Sequence, residues 1–337
     1  MKILQIDIQS KKPIYKQIID SIVDAIKSKQ LMTGDQIPSI NEVADEYNLS
    51  KGTVVKAYAE LKALGIIDSM QGKGFYIFKT DTARHMNIFM LFDSINPFKQ
   101  IIIDSFMDEM EINHSAIQVF FHHYNQKLFE ALIKQNIGHF QYYIIMPHFN
   151  IDMAYAVKKL PKDKTLIIDN EIPSLGAGYA TICQSFEKDI YNALAEAMPL
   201  LRKYQKIRFI LSKRHFQFVP EQNLRGFKKF CDNHQIAYTI EDNFVPATLH
   251  KGDVFIEYSE PDLIAIIKTC RDKGYKLGQD VGLISYDDTP LKEILEGGIS
   301  VITTDFALLG TTAAKMIKQN IKGRHENPGS FISRGSL

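Results

Sequence analysis

Hydrophobic residues recur at helical spacing near the start of the chain. From Pro13 to Lys29 they fall on one stripe, made of Ile14, Ile18, Ile22, Ala25 and Ile26. Such a stripe predicts an amphipathic helix. Pro13 suits the first turn of that helix, where no backbone N–H is needed.

Two shorter helical patterns follow. Glu42 lies three residues after Ser39, which is the spacing of a capping box at the start of a helix. Ser50 precedes a third pattern and predicts its N-cap. The apolar side of this third helix carries Tyr58, Leu61 and Leu64. Two short helices joined by a tight turn are typical of a helix-turn-helix.

The apolar period changes from helical to alternating after Gly65. Ile66-Ile67 begins a predicted strand, residues 71–74 (QGKG) predict a turn, and residues 75–78 (FYIF) predict the returning strand. Three helices closed by a hairpin form a winged helix, and we predict this fold for residues 1–79. Residues 80–85 are polar and predict a linker.

From residue 86 onward, short apolar runs alternate with helical patterns. We predict strands at 87–92, 116–121, 141–146, 164–169, 206–211, 236–240, 253–257, 281–285 and 299–303. Apolar strands separated by helices are typical of parallel sheets covered on both faces. The predicted fold class is therefore α/β, with a winged helix-turn-helix ahead of a larger α/β domain.

Composition and charge restrict the possible functions. The 337 residues are 45% hydrophobic and 23% charged, which fits a globular protein of two or three folding units. The net charge of +1 gives no general attraction to polyanions, so binding to nucleic acid requires a local basic patch. Residues 1–80 contain eleven lysines, nine acids and no arginine, which leaves a net charge of +2 there.

Neither a metal nor a cofactor is expected. The three cysteines, at positions 183, 231 and 270, lie too far apart for a paired-cysteine site. His122, His123 and His148 do not share the spacing of one helical face. The chain has no glycine-rich phosphate loop after its first strand, no GxSxG and no HExxH.

No apolar run reaches the roughly 18–20 residues of a membrane span, so we predict a cytoplasmic protein without a membrane partner.

Two resemblances sharpen these expectations. Residues 13–78 resemble the winged-helix domain of the GntR family of bacterial transcription regulators, through PIYKQI, GDQIPSINEVA, LSKGTVVKAYAELKALGII and QGKGFYI. Residues 86–337 resemble the effector domain of lactose/ribose-repressor-type regulators, which is related to periplasmic sugar-binding proteins. The segment that carries this second resemblance is GQDVGLISYDDTPLKEILEGGISVITTDFALLGTTAAKMI, from Gly278 to Ile317. The combination is similar to the arabinose-repressor arrangement and implies a sugar-responsive repressor.

The resemblance implies a two-lobed, periplasmic-binding-protein-like body with a ligand cleft. Lobe one is expected at about 86–183 and 305–322, and lobe two at about 186–302 and 330–335. A sugar in the cleft would control the affinity for operator DNA. Because a head of net charge +2 neutralises few phosphates, we expect a homodimer that binds a pseudo-palindromic, double-stranded operator.

The third helix is the candidate reader of the major groove. Small, hydroxyl-bearing and cationic residues at its start let the backbone approach the bases and contact phosphates. Two glycines and a lysine at the hairpin tip suit a minor groove or a phosphate, and Ser39 suits a phosphate at a helix N-terminus. The predicted DNA-binding residues are Ser39, Asn41, Ser50, Lys51, Gly52, Thr53, Lys56, Gln71, Gly72 and Lys73.

The head departs from its family at three positions. GntR heads often carry arginine where this chain has Asn41, Lys51 and Val55. Arginine is the main bidentate reader of guanine, whereas lysine acts as a point charge. We therefore expect operator recognition through A·T methyl groups and groove shape, with Asn41 reading adenine. Val54 and Ala57 would either touch thymine methyl groups or pack in the head.

Ligands of open α/β sheets bind outside the carboxyl ends of the strands. Carboxylates and amides there can bind sugar hydroxyls, and aromatic faces can cover the ring. The candidates at strand ends are Ser94, Asn96, His148, Asp169, Ser185, Ser259, Glu260 and Asp287. The resemblance gives Asp287 in ISYDD the role of a sugar-hydroxyl ligand, and Asp288 is then expected to cap the next helix.

Two more candidates come from the resemblance. Thr304 matches a known contact position. The family commonly has an arginine at the position of Asn223, while Arg225 here lies two residues later. On a helix this shift turns a side chain by roughly 200°, so Arg225 does not replace it. An amide in place of a guanidinium favours a neutral monosaccharide as the ligand.

Two other functions remain open from the sequence. A GntR head fused to a pyridoxal-phosphate aminotransferase-like body would need a much longer body than residues 86–337 and a lysine for the cofactor. An architectural DNA binder without a ligand would leave the polar residues after so many strands unexplained. A sugar-responsive regulator that is not an enzyme explains both the winged-helix pattern of the head and the polar residues after the strands of the body.

Overall fold

The computed structural model describes most of the chain. The described residues are 3–10, 12–70, 74–78, 80, 87–112, 116–176, 178–213 and 218–337. The predicted hairpin-tip residues Gln71, Gly72 and Lys73 lie outside them, as do linker residues 81–85. Within the described ranges the chain forms one three-stranded sheet and two six-stranded sheets. None of the helices in these ranges has the length and apolar character needed to cross a bilayer.

The first sheet belongs to the N-terminal head. Its elements are α1 (Ile14–Lys27), β1 (Gln36–Ile37), α2 (Ile40–Glu46), α3 (Lys51–Ala63), β2 (Ile67–Met70) and β3 (Gly74–Ile77). Strand β3 is central and pairs antiparallel with β1 and β2. The three helices pack over this sheet around a core that includes Ile18, Val43 and Leu61. The head is therefore a winged helix-turn-helix.

Side-chain caps define where two helices of the head begin. The predicted capping box is confirmed, because Ser39 Oγ accepts from the Glu42 N–H and the Glu42 carboxylate accepts from the Ser39 N–H at 2.6 Å. The predicted cap of α3 is also confirmed, with Ser50 Oγ accepting from the Thr53 N–H. Leu64, expected on the apolar side, lies at the C-cap of α3 and is 38% exposed, so that expectation is wrong.

The second sheet begins after the head. Its first elements are β4 (Ile88–Phe92), α4 (Pro97–Met110), β5 (Ile117–Phe121), α5 (Gln126–Asn136), β6 (Tyr142–Ile145), α6 (Ala154–Val157), β7 (Thr165–Asp169) and β8 (Ala180–Cys183). All neighbouring strands in this sheet run parallel. Helix α4 covers one face over a core of apolar residues such as Phe92 and Ile144.

The third sheet repeats the same architecture. Its elements are α7 (Phe186–Leu201), β9 (Lys206–Ile210), α8 (Glu221–His234), β10 (Tyr238–Glu241), β11 (Asp253–Glu257), α9 (Glu260–Asp272), β12 (Gly282–Tyr286), α10 (Pro290–Ile294) and β13 (Ser300–Thr304). Strands β9 to β13 run parallel to one another. The body is thus a two-lobed α/β structure. We call the second sheet with its helices lobe one, and the third sheet with its helices lobe two.

The C-terminal segment crosses between the lobes. Helix α11 (Phe306–Lys318) packs on lobe one, β14 (Gly323–Glu326) joins its sheet beside β8, and β15 (Gly329–Ile332) returns to lobe two, antiparallel to β13. Asn327 joins two of these crossings, since its Nδ2 donates to Thr304 Oγ1 at 2.6 Å and to the Asp305 carbonyl at 3.1 Å.

The nine strands predicted after residue 86 are all present, with bounds within two residues of those expected. Among the described residues, four strands were not predicted, namely β1, β8, β14 and β15. The first has two residues and the others four, and three of the four lie at a sheet edge, where short strands lack a continuous apolar run.

Candidate functional site

A cavity of about 310 Å³ lies between the two lobes. Its walls come from the carboxyl ends of β4, β6 and β7 in lobe one and of β11 and β12 in lobe two. Parallel strands bring their carboxyl ends to one edge of each sheet, and the two edges face each other here. The sheet topology therefore assembles the cavity from segments that are far apart in sequence.

A histidine links two carboxylates on the lobe-one wall. His148 Nε2 lies 2.7 Å from Asp169 Oδ2, and His148 Nδ1 lies 3.3 Å from Asp93 Oδ1. Burial alone would lower the pKa of His148, but the charge of Asp93 and the hydrogen bond to Asp169 raise this pKa to about 9. Gln184 Nε2 donates to the other oxygen of Asp169 at 2.7 Å. The imidazolium and the amide fix the Asp169 carboxylate in one orientation.

Lys99 supplies a second cation to this wall. Its Nζ contacts the Asp93 carboxylate, and both side chains are almost fully buried. Although burial opposes the charged form, the facing His148 and Lys99 cations hold the pKa of Asp93 well below its usual range. Asp93 is therefore a permanent anion that balances buried positive charge.

The lobe-two wall is organised around Asp287. Burial raises the pKa of this carboxyl to about 7, against the nearby charge of Lys292. Lys292 Nζ donates to the backbone carbonyls of Tyr286 at 2.8 Å and of Asp287 at 2.6 Å. Near neutral pH the Asp287 carboxyl can therefore both donate and accept hydrogen bonds.

Asp169 and Asp287 share an uncommon backbone conformation. Their φ angles are 70° and 61°, in the left-handed region that aspartate tolerates better than most residues. Each aspartate stands at the end of a strand and lines the cavity. Left-handed residues are concentrated at functional sites, where the surrounding structure maintains the strain.

Aromatic rings cover the remaining walls. Phe98 stacks on Phe306 with ring centroids 4.6 Å apart, and Phe218 stacks on His148 at 4.8 Å. Tyr258 and Tyr286 form a third stacked pair at 4.6 Å. All of these rings line the cavity. Flat apolar faces beside fixed hydrogen-bonding groups suit a ligand with one polar rim and one apolar face.

Seven of the predicted ligand residues lie together on the cavity wall. They are Ser94, Asn96, His148, Asp169, Ser259, Glu260 and Asp287. Two of them also cap helices: Asn96 Oδ1 accepts from the Lys99 N–H, and Ser259 Oγ accepts from the Asp262 N–H. Their side-chain oxygens thus already have a partner within the protein.

Three other predicted ligand residues lie off the wall. Asn223 is fully buried in α8 behind the tyrosine pair. Ser185 precedes α7 and accepts from Arg324 Nη2 at 3.4 Å. Thr304 Oγ1 donates to the Pro328 carbonyl at 2.9 Å, beside the lobe crossing. A direct contact of any of these three with a ligand remains a prediction.

The cap expected from Asp288 is wrong. Thr289 occupies the N-cap position of α10. The Asp288 carboxylate instead accepts from Arg334 Nη1 at 2.9 Å and Nη2 at 2.6 Å, and so ties the C-terminal segment to lobe two.

Sequence reasoning missed both lysines of the site. Lys99 and Lys292 are each the third residue of the helix that follows a strand end. The strand-end rule examines only residues directly after a strand, whereas the first turn of the next helix also faces the cleft. Extending the search by one helical turn would have found both.

The histidines considered as metal ligands have other partners. His122 Nε2 lies 3.3 Å from the Met146 carbonyl, and its ring stacks on Phe149 at 4.7 Å. Burial lowers the pKa of His122 to about 4. Within the described ranges, no group of three or more His, Cys, Asp or Glu side chains is placed to hold a metal ion.

The head presents one face of α3 to solvent. Lys51, Gly52 and Lys56 are exposed, and Val55 is 48% exposed. Val54 and Ala57 are fully buried, so they pack in the head. Lys56 Nζ lies 4.0 Å from the ring centroid of Tyr15, a cation–π contact that holds the lysine along the helix.

The other described DNA-binding candidates lie close to α3. Asn41 is exposed on α2, and Ser39 caps that helix. Ser50 Oγ and Thr53 Oγ1 lie 2.8 Å apart at the start of α3.

Comparisons with known proteins agree with these two parts. Residues 14–77 match the family described as "Bacterial regulatory proteins, gntR family". The HTH-type transcriptional repressor YtrA of Bacillus subtilis is 34% identical over 111 residues, which are 32% of this chain and 83% of that protein. The chain belongs to the GntR family. The HTH-type transcriptional regulator YhcF of the same organism is 39% identical over 69 residues, and the chain covers 57% of its length.

The body of this GntR-family chain has relatives of its own. Residues 200–335 match the family described as "Periplasmic binding protein-like domain". The arabinose metabolism transcriptional repressor of Geobacillus stearothermophilus is 22% identical and aligns over 96% of both chains. Both predicted resemblances are thereby confirmed.

Solved structures support the two-lobed fold. The lactose repressor bound to the anti-inducer ONPF has a TM-score of 0.61 at 16% identity, over 75% of this chain and 100% of that one. A LacI family transcriptional regulator from Lactobacillus casei with bound sucrose has a TM-score of 0.60 at 14% identity, over 74% of this chain and 99% of that one.

Proposed function

We propose that this protein is a transcriptional repressor whose affinity for operator DNA is controlled by a neutral monosaccharide in the interlobe cleft. One observation carries the proposal: a GntR-family head stands on a body with a cleft of about 310 Å³ that combines fixed polar groups with stacked rings. With a DNA-binding head and a small-molecule cleft in one chain, ligand binding to the body can change the affinity of the head for DNA.

The charge balance of the cleft favours an uncharged ligand. On lobe one, Lys99 and His148 are paired with Asp93 and Asp169. On lobe two, Lys292 lies near the Asp287 and Glu257 carboxyls, whose pKa values burial raises to about 7. Glu260 also lies on this wall. No described cation on the wall lacks an anionic or carbonyl partner. An anionic ligand would therefore lose its hydration beside the Asp93 and Asp169 carboxylates, while Lys292 already donates to two backbone carbonyls.

The polar side chains of the cleft wall can donate hydrogen bonds to sugar hydroxyls and accept hydrogen bonds from them. Asp169 is a fixed acceptor, whereas Asp287 can donate or accept near neutral pH. Relatives named for sugars support this chemistry, since one is the arabinose repressor and one LacI-type structure holds sucrose. We assign ligand contacts to Asp169, Asp287 and Ser94, with supporting positions at His148, Asn96, Ser259, Glu260, Asn223, Ser185 and Thr304.

The head is proposed to bind a pseudo-palindromic operator as part of a homodimer. Lys51, Gly52 and Lys56 form an exposed, cationic strip at the start of α3, and Val55 adds an apolar contact. A lactose repressor dimer has been solved on its operator with an anti-inducer bound. We assign DNA contacts to Ser39, Asn41, Ser50, Thr53 and the hairpin tip at 71–73 as well.

The composition of this strip favours operators rich in A·T pairs. A lysine and an aliphatic side chain contact phosphates and thymine methyl groups, whereas bidentate recognition of guanine needs an arginine. Selection of bound sequences from a random duplex library tests this expectation. Invariant G·C pairs across the half-site would overturn it.

Communication between the sites is proposed to use lobe closure. We divide the chain into a head (1–79), a linker (80–85) and a body (86–337). A ligand that contacts both cleft walls favours the closed arrangement, which changes the spacing of the two heads in a dimer. The three crossings between the lobes, near Cys183, Thr304 and Asn327, are the places where the body can bend.

A thermal-shift screen tests the ligand assignment. Neutral monosaccharides should raise the melting temperature of the full-length protein, because ligand binding stabilises the native state. The matched uronic acids and sugar phosphates should give no shift. The variant Asp287→Ala should lose the shift, whereas the surface control Asp108→Asn should keep it. A larger shift with an anionic sugar than with its neutral parent would contradict the proposal.

A further inference from the structure

The N-terminal head contacts lobe one directly. Lys16 Nζ on α1 donates a hydrogen bond to the His139 carbonyl of lobe one at 2.8 Å. The backbone of Lys12, just before α1, packs on Gly138, where an added Cβ would lie 3.0 Å from the Lys12 Cα. Lys16 and His139 are 123 positions apart in the sequence, so only the tertiary structure brings them together.

The head side of this contact is one charged face of α1. Lys16, Asp20 and Asp24 recur every four residues, which places them on the same side of the helix. Asp20 also pairs with Lys12, and this pair extends the face toward the N-terminus. The Lys12 and Asp20 side chains are only 18% and 19% exposed, which is low for the polar face of a helix.

The lobe-one side is the amino-terminal end of its sheet. His139 lies between α5 and β6, Tyr142 begins β6, and Lys164 directly precedes β7. Burial and the nearby charge of Asp24 raise the pKa of the Tyr142 phenol. Burial lowers the pKa of Lys12 to about 8, and the like charge of Lys164 acts in the same direction. The charged face of α1 therefore lies against the end of the sheet opposite the cleft.

The start of the body meets the head at the same carbonyl. Asn87 directly precedes β4, and its Nδ2 donates to the His139 carbonyl at 3.2 Å. The first strand of lobe one and the docked helix thus share one acceptor. The start of α3 stays open to solvent, with Lys51 and Gly52 exposed. A head held in this way can still present α3 to DNA.

We infer that the face of α1 around Lys12 and Lys16 is a docking surface for lobe one, through which the head and lobe one move as a single unit. The inference rests on the proposed function, because it names the surface by which lobe closure reaches the head. The spacing of two heads in a dimer then follows the orientation of lobe one. A flexible linker alone would absorb a lobe rotation, whereas a packed contact transmits it.

A disulfide can capture the docked head. A Cβ at Gly138 would lie 3.3 Å from the Lys12 Cβ, close to the separation found in disulfides. The full-length variant Lys12→Cys/Gly138→Cys should therefore lose two free thiols on mild oxidation, without forming a covalent dimer on a gel. The three native cysteines are buried and should not react. Lys27→Cys/Gly138→Cys is the matched control, because Lys27 is exposed at the far end of α1 and should not cross-link.

The cross-linked protein should remain functional. Docking leaves the start of α3 exposed, so operator affinity should stay within about twofold of that of the reduced protein. The change of operator affinity on adding sugar should also persist, since the docked head is the one that lobe one carries. Fluorescence anisotropy with and without reductant measures both quantities on the same sample.

A bulky side chain at Gly138 should have the opposite effect. Gly138→Leu places its side chain against the Lys12 backbone, away from both the start of α3 and the cleft. Operator affinity should fall roughly tenfold, because loosely tethered heads lose their preset spacing, while sugar affinity should be unchanged. Gly274→Leu controls for backbone strain, since Gly274 has a φ of 66° against 77° at Gly138, and a Cβ there would meet no atom within 4 Å. It should change neither affinity.

Three results would overturn the inference. The first is cross-linking of Lys12→Cys/Gly138→Cys no better than that of the Lys27→Cys control, or only between two chains. The second is a cross-linked protein that loses operator binding. The third is Gly138→Leu with the operator affinity and sugar response of wild type. If wild type bound neither operator nor sugar, the proposed function would fail, and the cross-linking yield would still decide whether the head docks.

Discussion

At the scale of single residues, two aspartates in similar backbone conformations have different surroundings. Asp169 accepts hydrogen bonds from His148 Nε2 and Gln184 Nε2, which fix the orientation of its carboxylate. Asp287 lines the cavity in lobe two, and burial raises its pKa to about 7. The cleft thus offers one carboxylate held by two donors and one carboxyl whose role changes near neutral pH.

Asp287 makes stability depend on pH in a predictable direction. Its folded-state pKa of about 7 is above the ordinary value, so the folded protein keeps a proton that the unfolded chain releases above about pH 4. Stability therefore falls as the pH rises through this window, by roughly 1.4 kcal/mol per unit for this group. Asp287→Asn cannot titrate and should lose less stability than wild type between pH 5 and 7, measured by urea unfolding.

Another carboxyl contributes with the same sign. Burial also raises the pKa of Glu257 to about 7, so Asp287→Asn should reduce the slope without abolishing it. Identical pH profiles for wild type and Asp287→Asn would show that Asp287 is ionised throughout the window.

A single substitution at Lys51 tests the proposal that the start of α3 contacts DNA. Lys51 is exposed at the first position of α3. Lys51→Ala should weaken operator binding and reduce the slope of log affinity against log salt by about one, as expected for one lost phosphate contact. Lys127→Ala, an exposed lysine on α5 in lobe one, is the matched control and should change neither quantity. An unchanged salt slope for Lys51→Ala would remove Lys51 from the interface.

The sequence predicted the two aspartates of the cleft but not its two lysines, and the difference comes from where each residue lies relative to a strand end. Asp169 and Asp287 were found because parallel strands deliver the residue after each strand to the cleft edge. Lys99 and Lys292 lie one helical turn further on, where the direction of a side chain depends on where the helix begins.

At the scale of elements, one glycine in each lobe lets two helices approach closely. In α11 a Cβ at Gly310 would overlap the Ile102 carbonyl oxygen of α4. In α8 a Cβ at Gly226 would overlap the Glu187 carbonyl oxygen of α7. In both cases the obstructing atom belongs to a helix backbone and cannot move aside alone. These two helix pairs therefore require glycine for their spacing.

Gly310→Ala should destabilise the protein by about 1–3 kcal/mol, as overpacking of a core commonly does. Urea unfolding measures this loss. Gly52→Ala is the control, because its Cβ would meet nothing nearer than Ser50 Oγ at 4.0 Å. Alanine in place of a helical glycine should there stabilise the head by about 0.5–1 kcal/mol. If Gly310→Ala unfolded at the wild-type midpoint, the close approach of α4 and α11 would be contradicted.

The elements found from sequence are those with long apolar periodicity. The buried parallel strands, such as β4 (IFMLF) and β7 (TLIID), are nearly continuous apolar runs. Strand β14 (GRHE) has no such run, since it lies at the edge of its sheet and depends on pairing with β8. Tertiary context rather than local pattern produces such edge strands.

At the scale of the whole molecule, the described part of the chain joins the two lobes three times, near Cys183, Thr304 and Asn327. Asn327 binds both the Thr304 hydroxyl and the Asp305 carbonyl, so two of the crossings are tied to each other. A ligand that contacts Asp169 on one wall and Asp287 on the other would draw the lobes together about these crossings. The energy for changing the spacing of two heads can come only from such unequal binding to the open and closed states.

The measurement that tests this account most directly is the affinity of the full-length protein for its selected operator, followed by fluorescence anisotropy while a neutral monosaccharide is added. We expect the sugar that gives the largest thermal shift to change operator affinity by about tenfold or more. Asp287→Ala should bind the operator like wild type and lose the response to sugar. A protein that binds both operator and sugar, with operator affinity unchanged at saturating sugar, would contradict the account.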